Sequence, residues 1–207
     1  MRAFMAAAAL AIVATAGVRA EVIERVLGAV GGQLIMLSDV EASRQLGLVT
    51  PDPGSDPIRS VLSKLIDRAL VMAEVDRYAP PEPSAEAVER EFQAVRGRFP
   101  SDQAFQAVLA RCGIDEGHLR ETIRENLRIV AYETQRFTVA PPNDEQLNAY
   151  YRAHPEAFTR SGRVQPFESV RADVARDLVA ENRKALIDDW VSGLRRRADV
   201  VDLYANK

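Results

Sequence analysis

The side chains that most often carry out chemistry are scarce in this chain of 207 residues. It has two histidines, His118 and His154, and a single cysteine, Cys112. His118 and Glu121 lie about one helical turn apart and could share a metal ion, but two ligands are too few for a stable site. Cys112 lies among apolar residues at helical spacing, which favours a buried and unreactive thiol. These residues predict neither a bound metal nor a cofactor.

The motifs of common enzyme classes do not occur in the sequence. It contains no H-E-x-x-H, G-x-S-x-G or G-x-x-x-x-G-K-[ST] pattern. A Ser-His-Asp site stays open on the sequence alone, because its members meet only in space. Gly28, Gly31 and Gly32 would suit a phosphate loop only if a helix followed the first strand; a second apolar run follows instead. The sequence therefore predicts a protein that is not an enzyme.

The composition is typical of a globular protein and argues against two classes of partner. Hydrophobic residues make up 47% of the chain and charged residues 28%. Lys and Arg number 27 and Asp and Glu number 30, which gives a formal net charge of −3. A mildly acidic chain is a poor binder of nucleic acids or anionic membranes.

The first 20 residues have the pattern of a secretory signal peptide. Arg2 precedes an uncharged, alanine-rich run from Ala3 to Val18, and Ala20 ends the segment before Glu21. The run is shorter than the roughly 20 residues of a spanning helix, although an uncleaved anchor stays open as the alternative. Cleavage after Ala20 would lower the net charge from −3 to −5, because the removed segment holds two arginines and no acid. We expect export to a compartment without ATP.

The remaining residues predict a mainly helical fold with a small β element. Val26–Val30 and Leu34–Leu37 form a predicted hairpin around a two-glycine turn. Capping residues and apolar stripes predict the helices that follow. These helices begin at Ser38 (with Glu41 completing a capping box and an end near Gly47), Ile58 (ending at about Tyr78), Ser84, Ser101, Asp115, Asn143 and Phe167.

The C-terminal residues are predicted to return to the hairpin. Residues 159–166 form a polar linker, after which the last long helix runs into the basic triplet Arg195–Arg197. Asp199–Tyr204 reads as a short strand, and a two-stranded hairpin is marginal without a third strand. We therefore expect this strand to join the hairpin and close one interleaved domain.

Four segments are similar to the SurA-type periplasmic chaperones and their parvulin-linked relatives. They are EVIERVLGAVGGQLIMLSDVEA from residue 21, VLSKLIDRALVMAEVDRY from residue 61, PPNDEQLNAYYRAHPEAF from residue 141 and FESVRADVARDLVAENRKALIDDWVSGLRRRADVVDLY from residue 167. The resemblance implies a helical chaperone core whose N-terminal hairpin is joined by a C-terminal strand. It also implies a periplasmic location and unfolded, aromatic-rich clients such as outer-membrane protein precursors.

The chain departs from the family where most relatives carry a parvulin isomerase domain. Only residues 159–166 join the first part of the core, residues 21–158, to its completing part, residues 167–207. Eight residues span at most about 28 Å and cannot form such a domain. The family's glycine-rich and active-site histidine motifs have no counterpart here, so prolyl isomerase activity is not expected.

A chaperone that holds unfolded chains needs apolar side chains that clients can reach. The predicted client-binding surface centres on the helical arm Ser84–Gly113, with methionines adding adaptable contacts. Each apolar stripe could instead belong to a closed core. The candidate residues are Met36, Met72, Phe92, Phe99, Phe105, Leu109, Ile123 and Leu127.

Three alternatives stay open on the sequence alone. One is an envelope assembly subunit that binds a single folded partner. Another is an enzyme, either a residual prolyl isomerase or an unrecognised hydrolase. Strand exchange between two copies would also suit an interleaved fold, which leaves a homodimer open.

Overall fold

The computed structural model describes residues 24–204 and has a mainly α fold, as predicted. The predicted signal peptide, residues 1–20, lies outside this range. The strands are β1 (Val26–Val30), β2 (Gln33–Met36), β3 (Thr159–Arg160), β4 (Arg163–Val164) and β5 (Val200–Asp202). The helices are α1 (Leu37–Gln45), α2 (Pro57–Tyr78), α3 (Ala85–Arg96), α4 (Asp102–Cys112), α5 (Glu116–Arg136), α6 (Asp144–Ala153) and α7 (Phe167–Arg197).

The predicted N-terminal hairpin is confirmed. β1 and β2 pair antiparallel across Gly31 and Gly32, whose φ angles of +55° and +88° fit the two-residue turn that matches strand twist. Gly28 is needed for a different reason, because a Cβ there would lie 3.2 Å from the Val201 carbonyl oxygen and 3.5 Å from Leu62. The hairpin is thus packed closely between a neighbouring strand and α2.

The predicted return of the C-terminal strand is also confirmed. β5 pairs antiparallel with β1, so the three-stranded sheet has the order β2-β1-β5. The Tyr204 hydroxyl then donates to the Asp56 carboxylate at 2.8 Å. Asp56 also caps α2, accepting the Ile58 N–H at 2.9 Å. The C-terminal end of the described chain is therefore fixed to the start of α2.

The start of α1 differs from the prediction. The Asp39 carboxylate accepts the Met36 N–H at 2.8 Å, so the helix begins one residue earlier than expected. The Ser38 hydroxyl instead donates to Glu24 at 2.6 Å, and Glu41 pairs with an arginine of its own helix. The predicted capping box of Ser38 and Glu41 is wrong because an aspartate was better placed to reach the strand end.

The first hydrophobic core surrounds α2. The sheet, α7 and the second half of α5 all pack against this helix. The Arg195 guanidinium of α7 pairs with Asp67 and donates to the Ser63 carbonyl oxygen at 2.7 Å. The largest buried side chains of this core are Leu27, Leu62, Ile66, Leu70, Tyr132 and Leu194.

Two further cores complete the fold. The second joins α1, α3, α4 and the first half of α5, and it contains Phe92 and Phe105. The third lies between α6 and the start of α7, around Phe158 and Val174. Because α5 contributes to the first and second cores, it links the arm to the central helix.

Residues 159–166, predicted as a linker, form a small hairpin. β3 and β4 pair antiparallel across Ser161 and Gly162, which both have positive φ angles. The Gln165 N–H also donates to the Phe158 carbonyl oxygen at 2.9 Å. The same eight residues still connect Phe158 to α7, but they do so with backbone pairing.

Two leucine truncations in the hairpin test this packing. Leu27 is fully buried, so Leu27→Ala should lower the free energy of unfolding by about 2–5 kcal/mol. Leu34 is 54% exposed, so Leu34→Ala should change it by no more than about 0.5 kcal/mol. Urea unfolding followed by circular dichroism measures both; equal losses would contradict the assigned faces of the hairpin.

Candidate functional site

The arm that was predicted to contact clients is closed. Phe92 and Phe105 are fully buried and meet edge to face at 5.8 Å between ring centroids, and Leu109 and Ile123 are buried beside them. The Arg120 guanidinium lies 3.7 Å above the Phe92 ring. The prediction of client contact is wrong for these four apolar residues, because α3, α4, α1 and α5 bury their apolar faces against one another.

The other four predicted residues do not form a common surface. Phe99 and Leu127 are partly buried at the margin of the second core. Met72 packs on the first core, and Met36 is half-buried at the end of β2. The structure therefore separates the predicted site into parts of two different cores.

An open groove lies between the first and second cores. Its volume is about 890 Å³, and none of the eight predicted residues lines it. Parts of β2, α1, α2, α5 and α7 form its walls. Its main apolar side chains are Leu34, Leu65, Ile129, Val130, Ile187 and Val191.

Two large apolar side chains face solvent in this groove. Leu34 on β2 is 54% exposed and Val130 on α5 is 56% exposed. Single exposed apolar groups are common, but here they border a groove that holds further apolar side chains. This arrangement can bind an apolar ligand without any covalent chemistry.

The second half of α5 explains how the groove arises. Tyr132 points to the first core, where its ring lies 5.9 Å from that of Trp190. Val130 and Glu133 line the groove on another face of the same helix. Val130 is left exposed because α5 packs on the second core with its first half and on the first core with its second half.

Ion pairs fix the walls of the groove. Arg68 of α2 donates to Glu125 at 2.6 Å and to Asn126 at 2.7 Å, both on α5. Arg195 of α7 pairs with Asp67 of α2, as described above. Six carboxylates line the groove, and four of them pair with arginine or lysine, two within the groove and two at its margin.

Glu133 is the unusual acid in this set. Burial against the groove wall raises the pKa of its carboxyl above the ordinary glutamate value. No cation or hydrogen-bond donor pairs with its side chain among residues 24–204. A half-buried, uncompensated carboxylate in a groove marks a candidate binding site.

The residues considered for catalysis do not assemble into a reactive centre. Cys112 is buried, and burial raises the pKa of its thiol, which disfavours the reactive thiolate. His118 borders the groove, while the His154 Nδ1 lies 3.0 Å from the Tyr150 carbonyl oxygen on α6. Within the described range, no group of three or more His, Cys, Asp or Glu side chains could hold a metal ion.

None of the helices between residues 24 and 204 is both long and apolar enough to span a bilayer. In comparisons with known proteins, no family model matches the chain and no curated protein is significantly similar to it. The similarity to SurA-type chaperones therefore stays a prediction from the segments quoted above.

Replacing the groove carboxylate tests its environment. Because folding raises the Glu133 pKa, its ionised form opposes folding, and this cost appears as the pH rises through the folded pKa. Glu133→Gln should therefore increase the free energy of unfolding near neutral pH. The increase should vanish below about pH 4, where glutamates are protonated in both states.

Urea unfolding across this pH range measures the effect. Glu91→Gln, at an exposed position on α3, is the matched control and should change the free energy of unfolding by no more than about 0.5 kcal/mol. A Glu133→Gln variant that is less stable than the natural protein at neutral pH would contradict the assignment.

Proposed function

We propose that the protein is an ATP-independent periplasmic chaperone that holds apolar segments of unfolded polypeptides in the groove between its first two cores. The observation that carries the proposal is the open groove itself, with Leu34 and Val130 facing solvent. The signal-peptide pattern of residues 1–20 supports export. The proposal includes no catalytic step.

The groove is large enough for a few side chains of an extended segment. Small-ligand sites usually have volumes of about 300–1,000 Å³, and this groove lies near the upper end. Its walls combine aliphatic side chains with fixed ion pairs. It could therefore bury apolar side chains of many sequences, while its polar rim keeps the backbone of a client hydrated.

Binding in such a groove should be weak and reversible. Ordering a flexible client costs conformational entropy, which offsets much of the gain from apolar burial. A dissociation constant in the micromolar range, about −8 kcal/mol, is the expected scale. Clients held this weakly can leave without nucleotide hydrolysis.

The proposed clients are aromatic-rich chains such as precursors of outer-membrane proteins. Their identity comes from the resemblance to SurA-type chaperones, whereas the proposed binding site comes from the groove. The proposed site therefore differs from the predicted one: it is not the arm, where the aromatic side chains are buried, but a groove lined mainly by aliphatic side chains.

A charge placed in the groove should weaken the holding activity. The assay follows light scattering of a diluted, unfolded outer-membrane protein in the presence of the chain without residues 1–20. Val130→Asp puts a second uncompensated carboxylate in the apolar part of the groove and should weaken suppression of aggregation by roughly tenfold.

Val164→Asp provides the matched control. Val164 lies in the β3–β4 hairpin and is 49% exposed, close to the 56% of Val130, but it does not line the groove. This variant should suppress aggregation like the natural protein. Unchanged aggregation at molar excess of the natural protein would refute the chaperone proposal. Binding to one folded partner only, without suppression of aggregation, would favour an assembly subunit.

A further inference from the structure

The three-stranded sheet has two edge strands, and β2 is the one that borders the groove. In the order β2-β1-β5, β2 has a neighbour on one side only. The hydrogen-bond pattern identifies which of its backbone groups face outward. The Gly31 N–H donates to Asp199 and the Leu203 N–H donates to Leu27, so odd-numbered residues of β1 bond towards β5.

Leu34 is the residue of β2 whose backbone faces the open side. Val30 and Gln33 flank the two-residue turn and form a hydrogen-bonded pair, so the next pair, Ala29 and Leu34, is not hydrogen-bonded. Ala29 bonds towards β5, and Leu34 opposite it points its N–H and C=O away from β1. No partner of these two groups occurs within residues 24–204.

The groove runs along this edge. Gln33, Leu34 and Ile35 all line it, although alternate residues of a strand face opposite sides of a sheet. A groove that contacts three consecutive residues must therefore lie beside the strand. The unpaired backbone of Leu34 and the apolar groove are thus parts of one surface.

We propose that an unfolded client binds as an added β-strand, pairing its backbone with Leu34 while alternate side chains enter the groove. This inference rests on the proposed function and specifies the conformation in which the client binds. Main-chain pairing explains how a short groove could accept many sequences, because every residue except proline offers the same N–H and C=O groups.

The charges of the groove select among such strands. Four of the six groove carboxylates already pair with arginine or lysine, whereas the Glu133 carboxylate has no cationic partner among the described residues and favours a segment that carries lysine or arginine. The preferred occupant is therefore an extended apolar segment with a basic side chain. A second copy of this acidic chain would bring carboxylates of its own and is the weaker match.

Amide hydrogen exchange at Leu34 tests the pairing. The probe is a synthetic peptide in which tyrosine and valine alternate with serine and lysine. In the free protein the Leu34 amide should exchange rapidly, and saturating peptide should slow it by at least about tenfold. Protection of Leu34 in the free protein that increases with protein concentration would show a second copy at the edge and would overturn the proposal.

Two variants separate backbone pairing from side-chain contact. Leu34→Pro removes the outward N–H without removing a bond within the sheet, and Leu34→Ala removes the side chain but keeps the N–H. Leu34→Pro should weaken peptide binding roughly tenfold more than Leu34→Ala. Equal binding by the two variants would overturn strand addition.

Methylated peptides repeat the test without changing the protein. N-methylation of alternate peptide residues on one edge should abolish binding, whereas methylation of the other edge should have little effect. If both peptides bind equally and Val130→Asp still weakens suppression of aggregation, strand addition fails and the chaperone proposal stands. If the natural protein neither binds peptides nor suppresses aggregation, the proposed function itself fails.

Discussion

The burial of α2 is the constraint on which the rest of the structure depends. Apolar residues cover more than half of its circumference, so no single neighbouring layer can shield the helix from water. The chain meets this demand by bringing the hairpin, α5 and α7 to the same helix. The part of α2 that remains, including Leu65 and Ala69, becomes one wall of the groove. The groove is therefore a consequence of how three elements share one helix.

Element boundaries were largely predictable because they depend on local chemistry. The side chains of Ser84, Ser101, Asp115 and Asn143 each accept a backbone N–H at the start of a helix, as their types and positions indicated. The turn at Gly31 and Gly32 was predictable for the same reason. Ser38 was the exception, because Asp39 offered a competing partner for the same helix end.

The location of the site was not predictable in the same way. An apolar stripe shows that a helix face avoids water, but it does not show whether a neighbouring helix covers that face. Phe92 and Phe105 pack against each other inside the arm and are buried. Val130 remains exposed because α5 packs on the second core with its first half and on the first core with its second half. Glu133 carried no local signal either, since a glutamate on a helix is ordinary until its neighbours remove water from it.

The pairing of β1 with β5 has a consequence for the order in which the chain matures. Val30 lies opposite Val200, so the central strand receives its second neighbour only when residues 200–202 are available. During synthesis from the N-terminus, β1 would keep one side unpaired until β5 has been made. Contacts of such long sequence separation close slowly. Completion of the sheet is thus a late event in the life of each new molecule, and a truncated chain would display the interior strand of its own sheet.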